Sequence, residues 1–104
     1  MQGARPLYER ALAINEKVLG PEHANTNHTR SSFAGLLLAT GAHTEALALG
    51  EKALTTDDKL LGRDHAWTKD SARVTADALD ALGRAEEAKA LRERYGVAQA
   101  SEMK

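Results

Sequence analysis

The sequence has little of three residue types: among 104 residues it has no cysteine, two prolines and only 4% aromatic residues. The lack of cysteine excludes a disulfide framework, a thiol nucleophile and a cysteine-ligated zinc site. It also suits a reducing compartment, so we expect a cytoplasmic protein. No apolar run approaches the roughly 20 residues that a membrane-spanning helix needs, and the first residues lack the apolar core of a signal peptide. We therefore expect no membrane association.

The charge of the chain is nearly balanced, with a formal net charge of −1. A binding surface for nucleic acid is not expected from such a composition. What the chain does contain is alanine, 20 residues of it, and alanine with glutamate, lysine, arginine and leucine makes up just over half of the sequence. These residues favour helices, whereas the β-branched residues that favour strands are scarce. The composition predicts an all-α protein.

The chain repeats itself at an offset of 42 residues. The segment 17–20 closely matches 59–62, and the dipeptide that begins at His23 recurs at His65. Glycines recur at the ends of the helical segments, where glycine tolerates the left-handed conformation that terminates a helix. Between these glycines the apolar residues recur with a spacing near 3.6, the period of an α-helix. The sequence is therefore organised as a helical repeat.

The spacing predicts five helices, over 4–19, 24–40, 43–61, 66–82 and 84–95. Apolar stripes lie on the first helix (Leu7, Ala11, Ile14, Val18) and on the third (Leu47, Leu54, Leu61). Connections of a few residues force neighbouring helices to be antiparallel. Each hairpin then has an apolar face that the next hairpin covers, as in a solenoid. We divide the chain into a helical repeat domain, 1–96, and a flexible tail, 97–104.

The runs LYERALAINEKVLGPEH (Leu7–His23) and LGEKALTTDDKLLGRDH (Leu49–His65) resemble the 42-residue tetratricopeptide repeat of kinesin light chains. The resemblance extends from Ala4 to about Tyr95. It implies a right-handed solenoid of antiparallel hairpins, here half a repeat followed by two whole ones. It also implies a non-catalytic, protein-binding function.

The resemblance assigns small residues to the contacts between helices. These positions are Ala34 and Ala76 in first helices and Ala4, Ala11, Ala46, Ala53 and Ala88 in second helices. The family carries an aromatic residue at the position that Tyr8 occupies. Gly50 stands at the equivalent position of the next repeat, where we expect lost packing and a helix weakened by roughly 1 kcal/mol relative to alanine. Arg92 at the third such position predicts an exposed end.

In this family the first helix of each hairpin lines a concave groove that binds extended peptides. The groove positions implied by the resemblance are His28, Ser31, Ser32 and Leu38 on the second helix and Asp70, Arg73, Asp77 and Asp80 on the fourth. The last four are spaced so that they share one helical face. Three carboxylates and one guanidinium could hold a polar or basic peptide there. The alternative is a solvated polar face with local ion pairs.

No pattern indicates a catalytic, cofactor or metal site. Ser31 and Ser32 lack a nucleophile elbow, and no glycine-rich phosphate loop is present. His23 and His65 each precede a helix, which indicates a role at helix starts. A shared metal site is not expected because the two copies lie one repeat apart. We expect Trp67 to pack on the neighbouring hairpin, with a partner contact as the alternative.

The sequence thus predicts a module that binds a protein or peptide partner in its groove. The alternative is structural: a self-association module, or part of a longer repeat array in a signalling or regulatory protein. The first helix favours that alternative because it shows no polar cap. About three repeats are usually needed for a stable array, so we expect a homo-oligomer or further repeats to contact this helix.

Overall fold

The computed structural model describes residues 4–97, and these residues form five α-helices and no strand. The helices are α1 (Ala4–Val18), α2 (Ala24–Ala39), α3 (His43–Leu61), α4 (Ala66–Ala81) and α5 (Ala85–Tyr95). The sequence placed every helix end within one residue of these bounds, and the all-α prediction is confirmed. Over the same residues, no helix combines the length and the apolar character that a bilayer crossing requires.

The helices stack in chain order as a solenoid. The helix α3 packs between α2 and α4, while α1 packs on α2 at one end and α5 packs on α4 at the other. The first helices of the two whole repeats, α2 and α4, also contact each other. They therefore form one continuous face, which we call the α2–α4 face.

Glycines in the left-handed region end the helices that precede each new repeat. Gly20 has a φ of 97° and Gly62 a φ of 89°, values that residues with a Cβ rarely adopt. Each of these glycines lies shortly before the helix that opens the next repeat. The glycine stops expected from the sequence are therefore confirmed, and they set the length of the repeat.

The core is built from a few large apolar side chains and many alanines. Phe33, Leu37, Leu47 and Leu79 are its large buried members, at 2–7% exposure. The small positions of the whole repeats are completely buried, namely Ala34, Ala46, Ala53, Ala76 and Ala88. Because alanine ends at Cβ, helices can approach closely at these positions. The thin apolar content of the sequence thus reflects close helix packing.

The helix α1 contains no fully buried residue. Its apolar stripe points away from the core: Leu7 is 66% exposed, Ile14 is 53% exposed and Val18 is 72% exposed. Tyr8 and Leu12, on the neighbouring side of the helix, pack on the core instead. The reason is positional: among residues 4–97, α1 packs on α2 alone, so its other side has no covering helix there.

The two interfaces between consecutive repeats, α1–α2 and α3–α4, use different side chains at equivalent positions. At the first, Tyr8 of α1 stacks on Phe33 of α2, with ring centroids 5.9 Å apart. At the second, the equivalent pair is Gly50 of α3 and Thr75 of α4. A Cβ added to Gly50 would lie 2.7 Å from Thr75 Oγ1. The expectation that Gly50 leaves lost packing is therefore wrong, because Thr75 fills the space.

We expect Gly50→Ala to destabilise the protein by about 1–2 kcal/mol. Thr75 Oγ1 would have to turn away and give up its 2.7 Å hydrogen bond to Ser71 O, and overpacking of this kind outweighs the helix preference of alanine. In a Thr75→Ala background the same change should stabilise by up to about 1 kcal/mol. A double-mutant cycle by urea unfolding measures the difference. Equal effects in both backgrounds would show that Thr75 does not restrict this site.

Polar contacts join α5 to α4 at the carboxyl-terminal side of the described residues. Arg92, expected at an exposed end, is in fact 8% exposed. Its Nη2 contacts Asp77 Oδ1 at 2.8 Å and Asp80 Oδ2 at 2.7 Å. Val97, which the sequence assigned to the tail, is also buried, beside Leu54 and Ala72. The remainder of the expected tail, 98–104, lies outside the described residues.

The Tyr95 hydroxyl predicts a loss of stability at alkaline pH. It donates to Asp58 Oδ2 at 2.7 Å. Burial, and then this hydrogen bond, raises the pKa of Tyr95 above its ordinary value. A raised phenol pKa contributes stability that is complete below the unfolded-state pKa of about 10 and is lost as the pH rises through the folded-state pKa.

We therefore expect the free energy of unfolding to fall above about pH 10. Urea unfolding across an alkaline pH series measures this slope. Tyr95→Phe should flatten it while lowering stability at neutral pH through the lost hydrogen bond. An unchanged slope in that variant would assign the pH dependence to other groups.

Candidate functional site

A buried polar network joins the helices beneath the α2–α4 face. Asp57 of α3 is 1% exposed, and its two carboxylate oxygens bind different helices. Asn27 Nδ2 of α2 donates to Oδ1 at 2.7 Å, and Ser71 Oγ of α4 donates to Oδ2 at 2.7 Å. One carboxylate therefore links the two repeats through three helices.

The network continues through α2 toward the turn before it. Asn27 Nδ2 also donates to Ala53 O at 2.7 Å, and Arg30 Nη1 donates to Asn27 Oδ1. Arg30 is itself 1% exposed, and its Nη2 donates to Pro21 O at 3.1 Å. Arg30 Nη2 also lies 3.5 Å from Glu16 Oε2, and this carboxylate pairs the buried charge, which would otherwise be costly.

Ser31 belongs to this network. It is 8% exposed, and its hydroxyl lies 3.0 Å from Ser71 Oγ. Because Ser71 gives its one proton to the Asp57 carboxylate, Ser31 is the donor between the two serines. The side chain expected in the groove is thus bound in the interior.

Histidines start both helices of the α2–α4 face. His23 Nδ1 accepts from Asn25 N at 3.0 Å, and His65 Nδ1 accepts from Trp67 N at 3.0 Å. Each imidazole thereby serves as the N-cap, satisfying a backbone donor that the first turn leaves free. The predicted role of these histidines at helix starts is confirmed, and the capping group is the imidazole itself.

An aromatic cluster of three rings lies across the α2–α4 face, formed by His28, His65 and Trp67. The Trp67 ring of α4 stacks on the His28 ring of α2, with centroids 4.2 Å apart and planes 19° apart. The His65 ring meets Trp67 edge-on at 5.8 Å. His28 is exposed and Trp67 is half-buried. The packing of Trp67 on a neighbouring hairpin, expected from the sequence, is confirmed, and part of the indole stays open to solvent.

Two charged residues follow the aromatic cluster along α4. Asp70 is exposed, one turn after Trp67, and its Oδ1 accepts from Arg73 Nη1 at 2.7 Å. Arg73 is half-buried, and its Nε is buried without a hydrogen-bond partner among the described residues. Ser32 of α2 is also half-buried. These side chains make the accessible part of the face polar.

The four charged residues that were expected to form one stripe on α4 instead form two separate groups. Asp77 and Asp80 both pair with Arg92 of α5, away from the pair of Asp70 and Arg73. Burial lowers the pKa of Arg92, but hydrogen bonds to Asp80 and Asp77 outweigh this and leave the pKa raised. Arg92 is therefore charged, binds both carboxylates and offsets one of their two charges. Leu38 is half-buried and packs against the core.

The histidines, aspartates and glutamates are dispersed. Over residues 4–97, no three of these side chains converge into a group able to hold a metal ion. The chemistry offered by the α2–α4 face is therefore aromatic stacking, hydrogen bonding and single charges.

The chain matches the family model for the tetratricopeptide repeat twice, over residues 1–58 and 27–95. These matches cover nearly the whole helical region, so the chain belongs to the tetratricopeptide repeat family. Repeats of this family are generally protein-interaction modules and typically act as non-catalytic scaffolds. No curated protein sequence matches the chain.

The sequence did not single out the polar network around Asp57 or the stacking of His28 on Trp67. One usable signal was present: Asn27, Arg30 and Asp57 are polar residues at helical positions that neighbour core alanines. Their partners lie on other helices, so spacing within one helix could not pair them.

Proposed function

We propose that this chain binds a protein partner on the α2–α4 face, and that the aromatic cluster is the centre of the contact. The stack of His28 on Trp67 carries the proposal, because it joins both repeats while leaving part of a tryptophan accessible. Tryptophan is enriched among the residues that dominate interface energies. A rigid, pre-stacked ring also loses little side-chain entropy when a partner covers it.

The chemistry of the face favours a segment with a basic residue beside an apolar one. Asp70 is exposed and lies one turn from Trp67. Its Oδ1 already accepts from Arg73, so a lysine or arginine of the partner would share the carboxylate through Oδ2 while its stem lies along the indole. Asp77 and Asp80 contribute less than their spacing suggested, because both carboxylates already bind Arg92, which offsets one of their two charges. The proposed contact set is therefore His28, Ser32, Trp67, Asp70 and Arg73.

Affinity capture from the native cell extract tests this proposal. The immobilised chain should retain a partner that Trp67→Ala and Asp70→Lys variants lose. Arg84→Ala is the matched control, because Arg84 pairs with Glu87 in an exposed position outside the proposed contact set. Circular dichroism establishes that each variant is folded.

Trp67 is the only tryptophan in the chain, so its fluorescence reports directly on the face. Titration with the captured partner should shift the tryptophan emission of the wild-type chain. The same titration of the His28→Ala variant should show a lower affinity. Retention of the same partner by all variants, or binding without an emission change, would contradict the proposed site.

A second candidate is structural, and the exposed apolar side of α1 favours it. The chain would then self-associate or lie within a longer array of a signalling or regulatory protein. Sedimentation across a concentration series distinguishes self-association, which predicts a mass that rises with concentration. We also propose the 42-residue, kinesin-light-chain-like subclass, which the 42-residue separation between the starts of α2 and α4 supports.

We further propose a cytoplasmic location, since a cysteine-free chain suits a reducing compartment. Microscopy of the full-length native protein carrying a fluorescent tag tests the location. A signal confined to another compartment would contradict it.

A further inference from the structure

The outward side of α1 is the most apolar exposed surface among the described residues. Leu7, Ile14 and Val18 are each more than half exposed, and Ala11 lies between them in the stripe. Their spacing of four, three and four residues places them on one side of the helix. Contiguous apolar surface of this kind marks an interaction site.

The repeat itself shows what covers the equivalent side of α3. Forty-two residues later, the stripe becomes Leu49, Ala53, Thr56 and Leu60. Ala53 is completely buried, Thr56 is 6% exposed and Leu49 is half-buried, whereas Leu60 at the end of the stripe stays 43% exposed. The covering element is α2: its Asn27 side chain bonds to Ala53 O at 2.7 Å. Leu49 also borders a groove that Phe33 and Leu37 of α2 help to line.

A basic edge accompanies the stripe in both helices. Arg10 and Lys17 flank it on α1, are exposed, and form no ion pair with another residue of 4–97. The equivalents on α3 are Lys52 and Lys59. Lys59 Nζ lies 3.9 Å from Glu22 Oε1, in the turn that precedes the covering helix. By the same geometry, an acidic residue just before a helix that covers α1 would lie close to Lys17.

The other end of the array is built differently. The residues of α2 and α3 that α4 covers include Leu38, Leu47 and Gly50, and their equivalents at the α4–α5 end are Asp80, Lys89 and Arg92. These charged side chains line an open groove of about 490 Å³. The stripe of α1 is apolar, whereas this groove combines Ala85 and Val97 with charged side chains, so a second copy docked there would place charged groups against the stripe.

A second copy is also a poor match at α1 itself. If two α1 helices paired in antiparallel fashion through their stripes, the edge of Arg10 and Lys17 would face the same edge of the other copy. Like charges placed this way repel. Charge complementarity instead selects an occupant with an acidic edge.

We propose that α1 is a second docking surface, which takes an amphipathic helix of another protein in the way that α3 takes α2. The occupant lies antiparallel to α1 and buries Leu7 and Ile14 under its own apolar side, with Val18 at the edge of the contact, as Leu60 is on α3. It carries an acidic residue just before its first turn, opposite Lys17. This surface is separate from the α2–α4 face.

The chain supplies its own probe for this docking mode. A synthetic peptide of residues 21–41 contains Glu22 and the whole of α2, the helix that covers the equivalent side of α3. Titrated into the isotope-labelled full chain, it should give saturable amide shifts centred on α1. We expect Ile14→Glu to weaken binding by about tenfold or more, because it places a charge in the apolar contact. Leu82→Glu is the matched control, since Leu82 is similarly exposed at the end of α4 and should leave binding unchanged.

A charge swap tests the predicted orientation. Lys17→Glu should weaken the peptide by about threefold, as expected for one exposed ion pair, and a Glu22→Lys peptide should recover the loss on that variant. The proposal is overturned by an absence of shifts in α1, or by shifts confined to the α2–α4 face. It is equally overturned if the α1 shifts depend on chain concentration without peptide, because the occupant is then a second copy. Failure here leaves the α2–α4 face untested, so the two proposals stand or fall separately.

Discussion

Replacement of Asp57 by alanine is expected to lower the free energy of unfolding by about 3 kcal/mol. The side chain is 1% exposed and accepts hydrogen bonds from Asn27 and Ser71, on two different helices. Hydrogen bonds to a charged group contribute about 1.5–3 kcal/mol each. Their loss leaves one Asn27 proton without an acceptor, while Ser71 can turn to Ser31. Urea unfolding followed by circular dichroism measures the change.

The control is Asp57→Asn, which keeps the shape of the side chain. Its oxygen can still accept from Asn27, and its amide can donate to Ser71, which then passes its own proton to Ser31. We expect this variant to lose only about 1 kcal/mol. If the two variants are equally unstable, the charge of Asp57 matters more than the connectivity. A loss below about 1 kcal/mol for Asp57→Ala would show that the network does not hold the repeats together.

The second large effect is expected from Phe33→Ala, at about 3–5 kcal/mol. Phe33 is 7% exposed, belongs to the core and stacks on Tyr8. Because α1 contains no fully buried residue, Tyr8 and Leu12 are its main apolar contacts with the rest of the fold. Loss of the Phe33 ring should therefore release α1 before the other helices.

Hydrogen exchange distinguishes this local effect from a uniform loss of stability. Amides of α1 should exchange much faster in Phe33→Ala, while those of α3 and α4 remain the most protected. Phe33→Leu, which keeps most of the volume, should cost about 1 kcal/mol and leave the order of exchange unchanged. Uniformly faster exchange in all five helices would mean that α1 does not depend on Phe33 in particular.

Sequence reasoning succeeded wherever the information is local. The helix ends depend on glycines that permit a positive φ and on side chains that cap within two residues, as His23 and His65 do. The apolar period and the 42-residue repeat then required short antiparallel connections, and these define the solenoid. The small residues of the two whole repeats were assigned correctly because each repeat places them at the same contact, whereas Ala11, also assigned to a helix contact, lies in the outward stripe of α1.

The sequence predicted only in part which of the proposed site residues remain accessible, because their burial and pairing depend on partners on other helices. His28, Ser32, Asp70 and Arg73 remain accessible, whereas Ser31 is drawn inward by Ser71 and the Asp77 and Asp80 carboxylates are held by Arg92. Spacing placed Asp77 and Asp80 on one side of α4 correctly. It carried no information on which cation from α5 would reach them.

The scarcity of large apolar and aromatic residues is likewise explained partly by the local sequence and partly by contacts between helices. The sequence by itself determined the class of protein: alanine-rich, glycine-punctuated helices with a repeat of 42 residues can bury their small faces only by stacking. The tertiary structure alone decided how each position in that stack is used. Tyr8 and Gly50 occupy equivalent places, yet one packs on Phe33 and the other makes room for Thr75. The stripe of Leu7 and Ile14 stays in solvent while its counterpart on α3 is covered by α2, because burial depends on which neighbour is present.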